Sequence, residues 1–181
     1  LTRLLIFLPL VLSSPIEKNF ALNNALKATV NTSDYRLPGN VWPSSYTLTI
    51  VPDFGNFTFY GQVVITAIVT KNNTNDIILN QSNLKIAQSD VNVTDLNKSA
   101  RINIQNVLLD DVLQRLHIQC SASLPVSTNL SISISFSGVL QDNMLGFYKS
   151  SYEENNVTKW MAITQFESTY ARQAFPCFDE P

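Results

Sequence analysis

In the stretch from Leu130 to Ser137, Leu130, Ile132, Ile134 and Phe136 alternate strictly with Ser131, Ser133, Ser135 and Ser137. Only an extended strand, whose side chains repeat with period two, gathers all four apolar groups on one face and all four hydroxyls on the other. A helix would scatter them around its circumference. One face of this strand is therefore core and the other is wet. By the same phase Tyr46, Leu48 and Ile50 oppose Thr47 and Thr49, and are expected to point into that core. The β-branched run Val63 to Val69 is apolar on both faces and suits a central strand. Polar clusters at Pro52 to Asn56, Asn72 to Asp76 and Ser137 to Asn143 read as turns. With no long amphipathic helix and no internal repeat, the expected fold is all-β, an antiparallel β-sandwich.

At 181 residues the chain has room for one core of ordinary size. Its net charge of -2, without a basic cluster, argues against a nucleic-acid partner, because phosphate binding concentrates Lys and Arg on one surface. In Arg115 to Leu124, strand phase turns Leu116, Ile118, Cys120 and Leu124 inward and leaves His117 at the surface. A zinc ion needs three or four converging donors, and His117 is the only histidine. Cys120 and Cys177 are expected to be two buried free thiols, with a disulfide between them the alternative.

Near the beginning, Arg3 precedes the apolar run Leu4 to Leu12 and the small residues Ser13 and Ser14, the layout of a secretory signal peptide over residues 1–14. That run is too short for a bilayer core, which takes about 20 helical residues. Residues 15–34 lack periodicity and read as a flexible stalk. Export agrees with eight Asn-x-Ser/Thr sequons, at Asn31, Asn56, Asn72, Asn80, Asn92, Asn97, Asn129 and Asn156. About three would arise by chance at this composition, and glycans on them would mark solvent-facing loops and strand edges.

Three groups of residues occur in a telling order. Tyr35-Arg36-Leu37-Pro38 is followed by Val41, Pro43, Tyr46 and Leu48; Gly146-Phe147-Tyr148-Lys149-Ser150 lies in the middle; and Phe175-Pro176-Cys177-Phe178-Asp179-Glu180-Pro181 closes the chain. Together they resemble the N-terminal domain of the aminopeptidase N family of zinc exopeptidases, from about Tyr35 to Pro181. The resemblance implies a saddle-like β-sandwich over residues 35–176 and, from residue 177, the start of a linker to a catalytic domain. It also implies that Glu167 binds the free α-ammonium of a peptide substrate and that Gln165 lines the pocket for its first side chain. Ser168 and Tyr170 depart from the family's usual Glu-Pro-Thr-Asp-Ala-Arg, which touches substrate preference rather than amine binding. Strand phase from Trp160 to Glu167 puts Gln165 and Glu167 on one side, where a carboxylate needs either a substrate amine or an internal partner such as Arg172. Arg172, Asp179 and Glu180 read as an ion-pair network that pins the linker.

The family's Gly-x-Met-Glu-Asn and H-E-x-x-H motifs do not occur here, since Met144 and Met161 sit in other contexts and only His117 is present. The resemblance therefore implies that zinc is bound by a catalytic domain beyond Pro181 and that this chain alone is inactive. Expected partners are peptides with a free N-terminus and that catalytic domain. The expected location is the secretory pathway, then secretion or the outer face of the plasma membrane through an anchor elsewhere. A glycosylated binding module with the same sandwich but no metal site is the alternative. An immunoglobulin-like adhesion domain also suits alternating strands but leaves the ordered motifs unexplained.

Overall fold

A computed structural model of the protein describes residues 35–180. The expected signal peptide, the stalk, the Asn31 sequon and Pro181 lie outside the described residues. From Arg36 onward the described chain forms one compact unit. Its strands are β1 (Val41–Asp53), β2 (Thr58–Val69), β3 (Thr74–Asn80), β4 (Val91–Asp95), β5 (Ala100–Arg101), β6 (Ile104–Asp110), β7 (Arg115–Leu124), β8 (Asn129–Val139), β9 (Gly146–Glu154) and β10 (Val157–Gln165). They make a five-stranded sheet ordered β1-β2-β8-β4-β5, a three-stranded sheet ordered β3-β7-β6, and the pair β9-β10. All of these pairings are antiparallel.

The alternating strand behaves as its pattern demands. In β8, Leu130, Ile132 and Ile134 are fully buried and stand opposite Ala67, Ile65 and Val63 of β2, which are also fully buried. Ile77 and Leu79 of β3 and Leu116 and Ile118 of β7 complete the same core from the three-stranded sheet. Each such side chain contributes about 1.5–3 kcal/mol by leaving water. β2 lies between β1 and β8; its Val63, Ile65, Ala67 and Val69 are buried, whereas on the other face Val64 and Thr66 are partly buried and Ile68 is exposed.

Phase alone misjudges β1. Tyr46 and Leu48 stand opposite Ile65 and Val63, yet they remain 40% and 39% exposed. β1 is the edge of the larger sheet and is only partly covered, whereas β2 and β8 are central. A period-two pattern tells which side a residue takes, not what covers that side. His117 differs in the other direction: it is partly buried, with Nδ1 2.8 Å from Oδ2 of Asp76. Cys120 and Cys177 are both buried and free.

Strand pairing also runs farther into the polar clusters than composition suggests. β1 continues through Asp53, β8 through Val139, and β3 starts at Thr74. Main-chain hydrogen bonds hold those residues in the sheets whatever their side chains. β9 and β10 are joined by Asn155 and Asn156 alone, at φ 52° and 58°. Two left-handed residues make the turn whose twist matches a two-residue hairpin, and Asn tolerates that conformation better than other side chains.

Gly138 shows how closely the core is packed. A Cβ there would lie 2.4 Å from Cζ of Phe59, whose ring is itself buried and packs edge-on against Phe136 and Phe147. Gly138→Ala is expected to cost about 1–3 kcal/mol of unfolding free energy, read by chemical denaturation. An unchanged midpoint would mean that the ring has room to move.

Candidate functional site

The segment after β10 is irregular in backbone but firmly attached. Three even-numbered residues of β10 and just beyond it make contacts with the protein: Trp160 meets Phe57 edge-on at 4.7 Å, Ala162 rests on the core, and Phe166 meets Phe175 at 5.9 Å. On the odd phase Met161 and Ile163 are partly buried, while Gln165 and Glu167 at its end are exposed. The Tyr170 N–H donates to the Phe166 carbonyl at 2.9 Å, closing a turn around Glu167, and the Glu167–Ser168 peptide is cis. A short 3-10 turn, Ala171–Gln173, follows.

That turn needs Gly146. The residue adopts φ 67°, and a Cβ on it would stand 2.7 Å from Cβ of Gln173 and 3.2 Å from the Tyr170 carbonyl oxygen. Gly146 also pairs with Gln165 across the hairpin. A side chain here would therefore push the 170–173 turn away from the strand that carries Gln165.

Beyond the turn the chain returns to the three-stranded sheet. Asn80 and Cys177 exchange main-chain hydrogen bonds, N–H to O=C at 2.8 Å and 3.1 Å, and the Ser82 N–H donates to the Arg172 carbonyl at 2.8 Å. Asn80 Oδ1 accepts the Asp179 N–H at 3.1 Å. Arg172 is committed to Asp179, its Nε donating to Oδ2 at 2.9 Å and its Nη2 to the main-chain carbonyl at 3.0 Å. Glu180 makes a separate contact with the beginning of the unit, accepting the Leu37 N–H at 2.6 Å with Arg36 Nη1 at 3.9 Å. These residues thus form two clasps rather than one network. The Phe178 N–H donates to the Tyr46 hydroxyl at 3.1 Å, so the returning segment also covers part of β1. Burial pushes the Tyr46 phenol up to about 12, with the Phe178 N–H opposing that shift and the charges of Cys177 and Asp179 adding to it. Burial likewise raises the Cys177 thiol, and it raises Cys120 to about 11, so neither is a ready nucleophile at neutral pH.

One alternative is closed and one expectation needs correction. Arg172 is not the partner of Glu167, because Asp179 occupies it; among the described residues Glu167 has neither an ion pair nor a side-chain hydrogen bond. Its exposure removes the desolvation cost that an inward-facing carboxylate would carry. The second concerns Asn80, read as a glycan acceptor, which is 1% exposed and structural. The other described sequon residues, Asn56, Asn72, Asn92, Asn97, Asn129 and Asn156, are exposed. What the sequence reading missed was the role of Asn80, Gln81 and Ser82 as the platform for the returning segment. Three consecutive polar residues at a strand end look like a turn, and only the contact with residues 172–179 distinguishes them.

Comparison with known proteins agrees with this architecture. Residues 42–181 match the model of the peptidase M1 N-terminal domain. The chain belongs to the peptidase M1 family. It is similar to the membrane alanyl aminopeptidase of Manduca sexta, 35% identical over 161 residues, and to aminopeptidase M1 of Arabidopsis thaliana, 37% identical over 146 residues. It is also similar to the human thyrotropin-releasing hormone-degrading ectoenzyme, 31% identical over 146 residues. Each match covers 81% of this chain but only 16%, 16% and 13% of the respective relative. Among the described residues no group of three or more His, Cys, Asp or Glu converges to hold a metal ion.

Removing Arg172 leaves the mostly buried Asp179 carboxylate without its cation. Arg172→Ala is expected to lower unfolding free energy by about 3 kcal/mol, and Arg172→Lys, which keeps the charge but not the fork, by less. Loss of peptide cleavage with an unchanged melting temperature in Arg172→Ala would instead assign this side chain to the substrate.

Proposed function

We propose that this chain is the N-terminal domain of an exported, zinc-dependent aminopeptidase, in which it supplies the anchor for the substrate's α-ammonium group. The observation that carries this reading is Glu167, an exposed carboxylate with no partner among the described residues, on a turn held by packing on both sides. A carboxylate so fixed favours peptides with a free, protonated N-terminus over acylated ones, because only the former offers three charged donors. Gln165, exposed at the end of β10 beside it, can donate and accept hydrogen bonds along the wall of the first-residue pocket. Holding the amine at one place fixes the register of the first peptide bond, which is how a binding residue contributes to rate.

The described residues do not provide a zinc site, so the metal that family membership suggests would be held by a catalytic domain outside them. Bound there, zinc would supply Lewis-acid activation of water and carbonyl. The role of this chain is binding and orientation. Its Tyr46, Leu48 and Trp160 side chains remain partly exposed on the same unit as Glu167, and such a surface suits a further domain of the same protein. Export, glycosylation at exposed sequons and membrane attachment through a segment elsewhere complete the reading.

The test is Glu167→Ala in the full-length protein. A charge-assisted hydrogen bond is worth about 1.5–3 kcal/mol, so kcat/KM for an aminoacyl substrate should fall roughly 10- to 150-fold. Discrimination against the acylated substrate should fall with it. A kcat/KM equal to that of the unaltered protein would refute the anchor.

A further inference from the structure

Asn80-Gln81-Ser82 has the sequence of a glycan acceptor and the structure of a buried joint. Asn80 and Gln81 are each 1% exposed and Ser82 is 7% exposed. All three main-chain N–H groups are bonded, to the carbonyls of Cys177, Gln114 and Arg172. Asn80 Oδ1 holds the Asp179 N–H, and Asn80 Nδ2, the atom that would carry a sugar, is fully enclosed with no hydrogen-bond partner. Glycosylation forms a bond from Nδ2 to the anomeric carbon of a lipid-diphosphate-linked oligosaccharide. It breaks that carbon's bond to the diphosphate leaving group and releases one amide proton. The product places a pyranose ring where the returning segment packs.

We infer that Asn80 is a modification site open only before the domain closes, so that a glycan on Asn80 and the docked 171–180 segment exclude one another. This rests on the export reading above. The order of synthesis gives the competition its time window. Asp179 lies 99 residues after Asn80, and at about 5–20 residues per second the sequon waits roughly 5–20 s before its cover exists. A chain modified in that interval cannot form the Asn80–Cys177 pair or seat Asp179 on Oδ1. It also loses the support for the turn that carries Glu167. The exposed sequons carry no such conflict. At Asn97 the Oδ1 accepts the Asn129 N–H at 2.8 Å, leaving Nδ2 for the sugar. Asn80 thereby sorts chains, with modified molecules remaining open and retained and unmodified ones closing and leaving the cell.

The experiment is glycopeptide mass spectrometry of the full-length protein made in a eukaryotic secretory host, comparing secreted and cell-retained pools. Two forms are used, one with its own residues 1–34 and one with a heterologous export signal in place of residues 1–14. The expected result is loss of the Asn80 glycopeptide from the secreted pool and its presence in the retained pool. Arg172→Ala, which weakens the clasp, should raise Asn80 occupancy, and Ser82→Ala in that background should abolish it while leaving the other sequons modified. An Asn80 glycan on secreted, protease-resistant protein would overturn the inference. So would an Asn80 that stays bare in both pools and in Arg172→Ala, since sequence context rather than folding would then protect it. If every sequon is bare only with the native leader, the export reading fails, while the heterologous leader still decides the question at Asn80.

Discussion

The Asn80–Cys177 pair is the joint on which the placement of the returning segment, residues 171–180, depends. A strand end with buried main-chain groups must find hydrogen-bond partners, and at the end of β3 the sheet itself does not supply them all. The returning segment supplies most of them, through the carbonyls of Arg172 and Cys177 and the Cys177 N–H, and its Asp179 N–H adds a bond to the Asn80 side chain. The Arg172–Asp179 ion pair then closes that segment on itself over seven residues. Each contact would be modest alone, about 0.5–1.5 kcal/mol net for a neutral hydrogen bond. Together they tie an irregular stretch to the three-stranded sheet at several points.

That support connects the fold to the role proposed for Glu167. Glu167 is outside the regular strands, and an unsupported loop carboxylate could not select a ligand by position. Here Phe166 on Phe175, the Tyr170–Phe166 hydrogen bond and the close approach of Gln173 to Gly146 fix the turn from below and behind. The exposed face is left to Gln165 and Glu167. This chain spans only a small part of its M1 relatives, and on the proposed reading the pair gains its meaning from a domain that faces it.

The sandwich was legible in the sequence because burial on one face of a sheet writes period two directly into the chain, as in Leu130 to Ser137. The exposure of Tyr46 and Leu48 was not, because their pattern reports the side of the sheet and not the extent of the cover opposite. The position of Glu167 came from motif resemblance, and its projection beside Gln165 from strand phase, but not its exposure. Its lack of an internal partner depended on whether Arg172 would turn to Glu167 or to Asp179, five and seven residues away, and sequence separation does not decide between them. Asn80 was the least legible. Its sequon is a local feature, while its burial is imposed by residues nearly a hundred positions later.

Amide hydrogen exchange in the folded protein, comparing the N–H groups of Asn80, Cys177 and Asp179 with those of Ile132 and Ile134 in β8, tests the joint most directly. If the returning segment is part of the cooperative structure, its amides exchange only in the global opening that releases β8. Exchange of Cys177 and Asp179 as fast as that of the Asn155–Asn156 turn, with β8 still protected, would contradict the account.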